Sequence, residues 1–221
     1  GNCNSIKSVI FESDSKLTSM GKRAFQSISL QSISISPTVT KIKSKCFYKC
    51  NNLQFINLLS NSKLKFIGKK SFYNTKINRL FIPKSVEIIE EGCFNGMPDD
   101  LKIELPESNT NFLYFNDQMI LAKSNPNNGE FDMILFSSRN CVHVEIPSSV
   151  KYICSYAFSQ CKKLRMISFK HDSKLRSIGQ KAFDESLDQQ ILLNISFQLK
   201  ILRSVEHFSN QMSIFVDSLM L

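Results

Sequence analysis

Residues 146–183 read IPSSVKYICSYAFSQCKKLRMISFKHDSKLRSIGQKAF, one structural unit followed by most of the next. Val150, Ile153, Ala157 and Phe158 are answered 25 residues later by Leu175, Ile178, Ala182 and Phe183. Self-similarity at such a period is the mark of a repeat architecture, in which each unit buries its apolar face against its neighbours. The expectation for all 221 residues is one continuous solenoid of about eight units.

Two sub-patterns recur outward from this stretch. The first is L-x-x-I-x-[I/L/F], often closed by Pro: Ile6/Val9/Phe11, Leu30/Ile33/Ile35, Leu53/Ile56/Leu58, Ile77/Leu80/Ile82, Asp100/Ile103/Leu105, Cys141/Val144/Ile146, Leu164/Ile167/Phe169 and Leu192/Ile195/Phe197. Its last two apolar positions lie two apart, as on one face of a β-strand. The second is [L/V]-x-x-[I/M]-x-x-x-[A/S/C]-F, ending at Phe25, Phe47, Phe72, Phe94, Phe158 and Phe183. It reads as a turn and a short helical segment that drops an aromatic into the core beside a small residue. A degenerate copy ends near Phe208, and Met212 to Leu221 reads as a ninth strand or a cap.

Pro37, Pro83, Pro106 and Pro147 each follow a predicted strand, where a residue lacking N–H ends pairing. Gly21, Gly68 and Gly179 share one slot, for which a tight turn or positive φ is expected. The Phe ladder is interrupted between Phe94 and Phe158, and residues 107–140 form the insertion. Within it Phe112–Phe115, Met119–Leu121 and Phe131–Phe136 read as strands of a small antiparallel meander, its aromatics packed onto the repeats.

The motif I-P-x-S-V-x-x-I-x-x-x-[A/C]-F-x-x-C-x-x-L, carried by Ile146, Pro147, Ser149, Val150, Ile153, Ala157, Phe158, Cys161 and Leu164, resembles the BspA-like leucine-rich repeats. C-x-x-L recurs at Cys50 to Leu53, and S-K-L-x-x-I-G-x-x-[A/S]-F at Ser62 to Phe72 and Ser173 to Phe183. The resemblance covers nearly the whole chain outside the insertion and the last residues. It implies an α/β repeat solenoid: a leucine-rich-repeat right-handed superhelix with a parallel β-sheet, short helical turns on the opposite side and the small antiparallel β insertion. It also implies a surface antigen or adhesin, at the cell surface or secreted, that binds host or extracellular-matrix proteins, and it carries no catalytic residues.

The chemistry expected is recognition rather than catalysis. No G-x-S-x-G, H-E-x-x-H, P-loop or dinucleotide fingerprint is present, so no enzyme and no cofactor are expected. Cys3, Cys50 and Cys161 share one slot, and Cys46 and Cys93 occupy the small position before Phe, which marks them as packing residues. Cys46 and Cys50 lack the further ligands of a zinc set. Cys141 and His143 read as a core cysteine and a surface histidine, not a nucleophile pair. Asn194-Ile195-Ser196 is a sequon that reads as a chance match. No run reaches the ~20 apolar residues of a membrane span, and Gly1 to Asn4 show no signal peptide; the chain opens inside a repeat, as a fragment would.

Two surfaces follow. If the fourth and sixth positions of the first pattern point inward, the third and fifth point outward. These are Phe55, Asn57, Arg79, Phe81, Lys102, Glu104, His143, Glu145 and Met166, with Ser168, the protein-binding candidates on a face roughly 35–40 Å long. The excess of 28 Lys+Arg over 19 Asp+Glu, net +9, points to an alternative anionic partner such as an acidic glycan. Lys22, Arg23, Lys43, Lys45, Lys69, Lys70 and Lys181 would line that face, with Glu90 and Glu91 interrupting it. No interleaved stacking platform supports nucleic acid. A third expectation is a purely structural segment of a longer array.

Overall fold

The computed structural model describes residues 6–12, 14–125, 127 and 129–186. Cys3, the copy at Leu192/Ile195/Phe197, the Asn194 sequon, Phe208 and the closing segment 212–221 lie outside the described residues. The chain divides into two compact units, Gly1–Leu113 and Tyr114–Leu221.

The first pattern forms strands β1 (Ser8–Val9), β3 (Ser32–Ser34), β5 (Phe55–Asn57), β7 (Arg79–Phe81), β9 (Lys102–Glu104), β13 (His143–Ile146) and β15 (Met166–Phe169). The second forms β2 (Ser19–Met20), β4 (Lys41–Ile42), β6 (Phe66–Ile67), β8 (Ile88–Ile89), β14 (Tyr152–Ile153) and β16 (Ser177–Ile178). In the first unit β1-β3-β5, β7-β9 and β2-β4-β6-β8 are parallel sheets. In the second unit β13 pairs β15, and β14 pairs β16, again in parallel. Each coil therefore gives a strand to each of two faces, the build of a β-solenoid.

The expected helical turns are absent: among the described residues there is no helix. The backbone explains why. Arg23, Lys45, Lys70, Gly92, Tyr156 and Lys181 occupy one slot with φ between 54° and 68°, and Ser27, Lys49, Asn74, Gly96, Gln160 and Glu185 repeat this four residues on, with φ between 53° and 71°. A right-handed helix cannot contain such residues. Instead, successive tight turns close on the carbonyl three residues back, as Cys46 N–H does on Lys43 (3.1 Å) and Tyr48 N–H on Lys45 (3.1 Å). The intervening amides of Lys45, Phe47 and Lys49 donate to Lys69, Ser71 and Tyr73 of the next coil at 2.9, 2.9 and 2.8 Å. Every amide of the segment is satisfied, alternately within its coil and across to the neighbour.

Positive φ does not fall at the glycine slot. At Gly68 an added Cβ would sit 2.4 Å from Ser44 N, and at Gly179 2.3 Å from Ser155 N. The reason for glycine there is the close approach of the neighbouring coil's backbone. Gly21 meets nothing within 4 Å.

The aromatic ladder is the core. Phe25 stacks on Phe47 with centroids 5.4 Å apart, Phe47 on Phe72 at 5.7 Å and Phe158 on Phe183 at 5.1 Å. The neighbouring small slot is buried at Cys46, Ser71, Cys93, Ala157 and Ala182. In the fifth copy of the first pattern Leu101, rather than Asp100, fills the buried opening position.

The insertion supplies β10 (Phe112–Phe115), β11 (Met119–Ala122) and β12 (Met133–Ser137). β11 and β12 pair antiparallel, and β12 then joins β14 in parallel. Met119, Leu121 and Ile134 enter the same core as Val144, Ile153 and Phe158, with Phe115 and Phe131 packed against it. Burial alone would raise the Asp132 carboxyl, but hydrogen bonds from Ser124 N–H (2.8 Å), Ser124 Oγ (2.8 Å) and the Lys151 ammonium (3.4 Å) hold it below its ordinary value.

Three stability outcomes follow. Phe47→Ala lowers the unfolding free energy by about 3–5 kcal/mol in denaturant titration. Gly68→Ala destabilises measurably more than Gly21→Ala, since only the former drives a methyl into backbone. Because the Asp132 pKa is depressed on folding, its contribution is complete above about pH 4 and is lost as pH falls through the folded value. Acid titration of stability should therefore be shallower in Asp132→Asn than in the parent.

Candidate protein-binding surface

Strand alternation places the outward side chains. In β5 Phe55 and Asn57 are exposed around buried Ile56; in β7 Arg79 is exposed and Phe81 half-buried around Leu80; in β9 Lys102 is exposed and Glu104 half-buried around Ile103. Phe55 keeps 65% of its surface exposed, an unusual position for a large apolar ring. In register, Ser8, Ser32 and Phe55 follow one another, as do Ser34 and Asn57.

In the first unit Phe55, Asn57, Arg79, Phe81 and Glu104 converge on one open groove of about 790 Å³. Ser8, Ser32 and Ser34 of β1 and β3 also line it, small side chains that leave room larger ones would fill. Ile10, Phe11 and Leu59 border it as further apolar surface. Lys102 stands outside it, directly opposite Arg79. That like-charged pair is relieved diagonally by Glu104, whose Oε1 accepts from Arg79 Nε. Arg79 is well exposed and Glu104 partly so, and this ion pair orients the arginine while adding little stability.

In the second unit His143 and Met166 are exposed and lie opposite one another across β13 and β15, with Glu145 opposite Ser168. Glu145 pairs with Lys170 at 3.2 Å beside a shallow depression of about 170 Å³ lined by Phe115, Pro147 and Ser149. Cys141 is buried and His143 exposed, in keeping with a core cysteine and a surface histidine.

The basic residues of the turns are less uniform than their spacing suggests. Lys22 and Lys43, joined by Lys41, surround a depression of about 330 Å³ that Glu90 also lines. Lys69 pairs through its ammonium with Glu91, and its amide donates to Glu90 Oε2 at 2.6 Å. Lys181 pairs with Asp184 at 3.5 Å. Arg23, Lys45, Lys70 and Lys181 hold the left-handed backbone slot. Lys45 and Lys49 lie over the Tyr48 ring at 5.5 and 5.6 Å, Lys70 over Tyr73 at 5.7 Å, and the two rings stack at 4.8 Å. The tyrosine stack escapes a slot-by-slot reading because only two coils have Tyr after the core Phe.

Three cysteines of the first unit are buried packing residues. Burial pushes the Cys46 and Cys93 thiols up to about 12 and Cys50 to about 11. Cys50 also donates to Phe25 O at 2.7 Å, tying adjacent coils. Among the described residues, no group of three or more His, Cys, Asp or Glu is placed to hold a metal, and no helix is long and apolar enough to cross a membrane.

The sequence model of the BspA type leucine rich repeat region matches residues 1–112 and 129–214 in 6 copies. No curated protein matches the chain. Among solved structures, the pneumococcal vaccine antigen PcpA is similar at 24% identity and TM-score 0.69, over 80% of this chain and 42% of that one. A leucine rich cell surface protein from Faecalibacterium prausnitzii is similar at 20% identity and TM-score 0.64, over 82% of this chain and 53% of that one. A leucine-rich repeat protein from Eubacterium ventriosum is similar at 24% identity and TM-score 0.59, over 76% of this chain and 49% of that one. The chain thus spans about half the length of these structures.

Proposed function

This chain belongs to the BspA-type leucine-rich-repeat family, and on that premise we propose that it is a non-enzymatic recognition module whose first-unit groove binds a protein. The observation that carries the reading is the groove itself: Phe55 and Phe81 presented as apolar anchors, with Arg79, Asn57 and Glu104 as polar neighbours. An exposed aromatic, a half-buried one beside it and an arginine around a concavity are the residue types that dominate binding energy in protein interfaces. The role at a cell surface, as an antigen or adhesin toward host or matrix proteins, is supported by the surface character named for the Faecalibacterium protein. His143, Glu145 and Met166 form the corresponding face of the second unit.

The test is a panel of immobilised extracellular-matrix proteins probed with the purified chain. Phe55→Ala with Phe81→Ala weakens the interaction detected by at least about tenfold while leaving the unfolding midpoint unchanged. Unchanged affinity in a folded double variant removes the groove from the reading.

A second reading rests on the lysines gathered around Tyr48 and Tyr73 and on the Lys22, Lys41, Lys43 depression. It assigns an acidic glycan to the turn face. Affinity for immobilised heparin should then fall steeply as salt rises, and a flat response excludes it.

A further inference from the structure

On the second face of the first unit, the outward strand position reads Ser19, Lys41, Phe66 and Ile88 across β2-β4-β6-β8. The residues that follow them, Met20, Ile42, Ile67 and Ile89, are buried. Lys41 therefore stands beside the half-buried Phe66 ring, and Ile88, 48% exposed, extends the apolar strip. Lys43 follows Ile42 as Gly21 follows Met20 and Gly68 follows Ile67, so its neighbours in that slot carry no side chain. Here lies the open depression of about 330 Å³ bounded by Lys22, Lys41, Lys43, Ser44, Phe66 and Glu90.

Its charge is uncompensated. Lys65 pairs with Glu87 at 2.9 Å and Lys69 with Glu91, but among the described residues the ammonium groups of Lys22, Lys41 and Lys43 have no carboxylate partner. Glu90, the acid on the rim, is already engaged: its Oε2 accepts from the Lys69 amide at 2.6 Å and from Ser44 Oγ at 3.4 Å. An anion entering here meets three ammonium donors without first breaking an ion pair.

We propose that this depression binds one anionic sugar unit of an acidic polysaccharide, its ring lying against Phe66 and its sulfate or carboxylate held by Lys22, Lys41 and Lys43. The inference rests on the acidic-glycan reading and narrows it to one site. It is independent of the protein-binding groove, which is lined by other strands.

The aromatic argues for a sugar. A pyranose presents C–H bonds on its flatter face, and their slight positive charge suits the negative face of an aromatic ring. A small inorganic anion would make no use of that ring. A volume of about 330 Å³ is at the low end of the roughly 300–1,000 Å³ of small-molecule sites, which suits one unit with the polymer continuing into solvent. A single-stranded nucleic acid fits less well, since Phe66 alone gives no run of stacking partners in the depression.

The experiment measures binding of the purified chain to a heparin tetrasaccharide, to its desulfated form, and to tripolyphosphate, which has charge but no sugar ring. Lys41→Gln with Lys43→Gln should weaken tetrasaccharide binding about tenfold. Lys63→Gln with Lys76→Gln, an equal loss of charge at exposed lysines outside the depression, should change it by less than about twofold. Phe66→Leu should weaken the tetrasaccharide about fivefold and leave tripolyphosphate unchanged. The lysine pairs carry the test by themselves if Phe66→Leu does not fold. Retained binding of the desulfated form identifies the carboxylate as the anion held, and its loss identifies the sulfate. If the tetrasaccharide binds with a steep salt response but is indifferent to Lys41, Lys43 and Phe66, the acidic-glycan reading stands and this site falls. If no anionic sugar binds, both fall. An equal effect of Phe66→Leu on tripolyphosphate overturns the sugar assignment, as does tighter binding of oligodeoxythymidine through the same lysines.

Discussion

The structure depends on one hydrogen-bonding constraint: in the turns around Phe25, Phe47, Phe72 and Phe158, alternate amides reach the next coil. Lys45, Phe47 and Lys49 donate across to Lys69, Ser71 and Tyr73, and the amides between them close tight turns at home. This alternation obliges two residues per coil to take left-handed backbone, which for a residue with a side chain costs about 1–2 kcal/mol. The return is a continuous ladder holding each ring above the last, as in Phe25, Phe47 and Phe72. The close coil approach that excludes a side chain at Gly68 and Gly179 is part of the same geometry.

Much of this was legible in the sequence. The Phe slot, its small neighbour and the period-two strand positions are spaced by sterics that repeat in each coil, and Leu30, Ile33, Leu53, Ile56 and Leu80 are buried accordingly. The turn segment was read wrongly for a physical reason. Apolar Leu64, Ile67 and Phe72, with the small Ser71 beside the ring, fall three, eight and seven residues along, the intervals of a helix face. The residues that forbid a helix are Arg23, Lys45, Lys70, Tyr156 and Lys181, side chains with no outward mark of left-handed backbone. Among the described residues only Gly92 and Gly96, in the fourth copy, announce it.

The candidate site was legible in its direction but not in its shape. Alternation identifies Phe55, Arg79 and Phe81 as outward, yet the groove is also lined by Ser8, Ser32 and Ser34, whose significance lies in their smallness beside those rings. The lysine row and its interruption by Glu90 and Glu91 were legible as spacing, but not the pairing of Lys69 with Glu91 or of Lys181 with Asp184. Arg139, a buried cation, was invisible because the motif leaves its position unspecified: the matching residues are Asn51 and Lys162, polar side chains that a surface turn would also carry. Its sulfur contact, Cys161, comes from the next coil, 22 residues on.

Repetition thus consumes the residues that build the coil and leaves recognition to the side chains it does not specify. The most direct test is amide hydrogen exchange of the chain, free and bound to whichever matrix protein the immobilised panel captures. Added protection centred on β3, β5 and β7 is the result this account predicts. Protection confined to the turns around Lys45, Tyr48 and Lys70, with the groove strands unchanged, would contradict it.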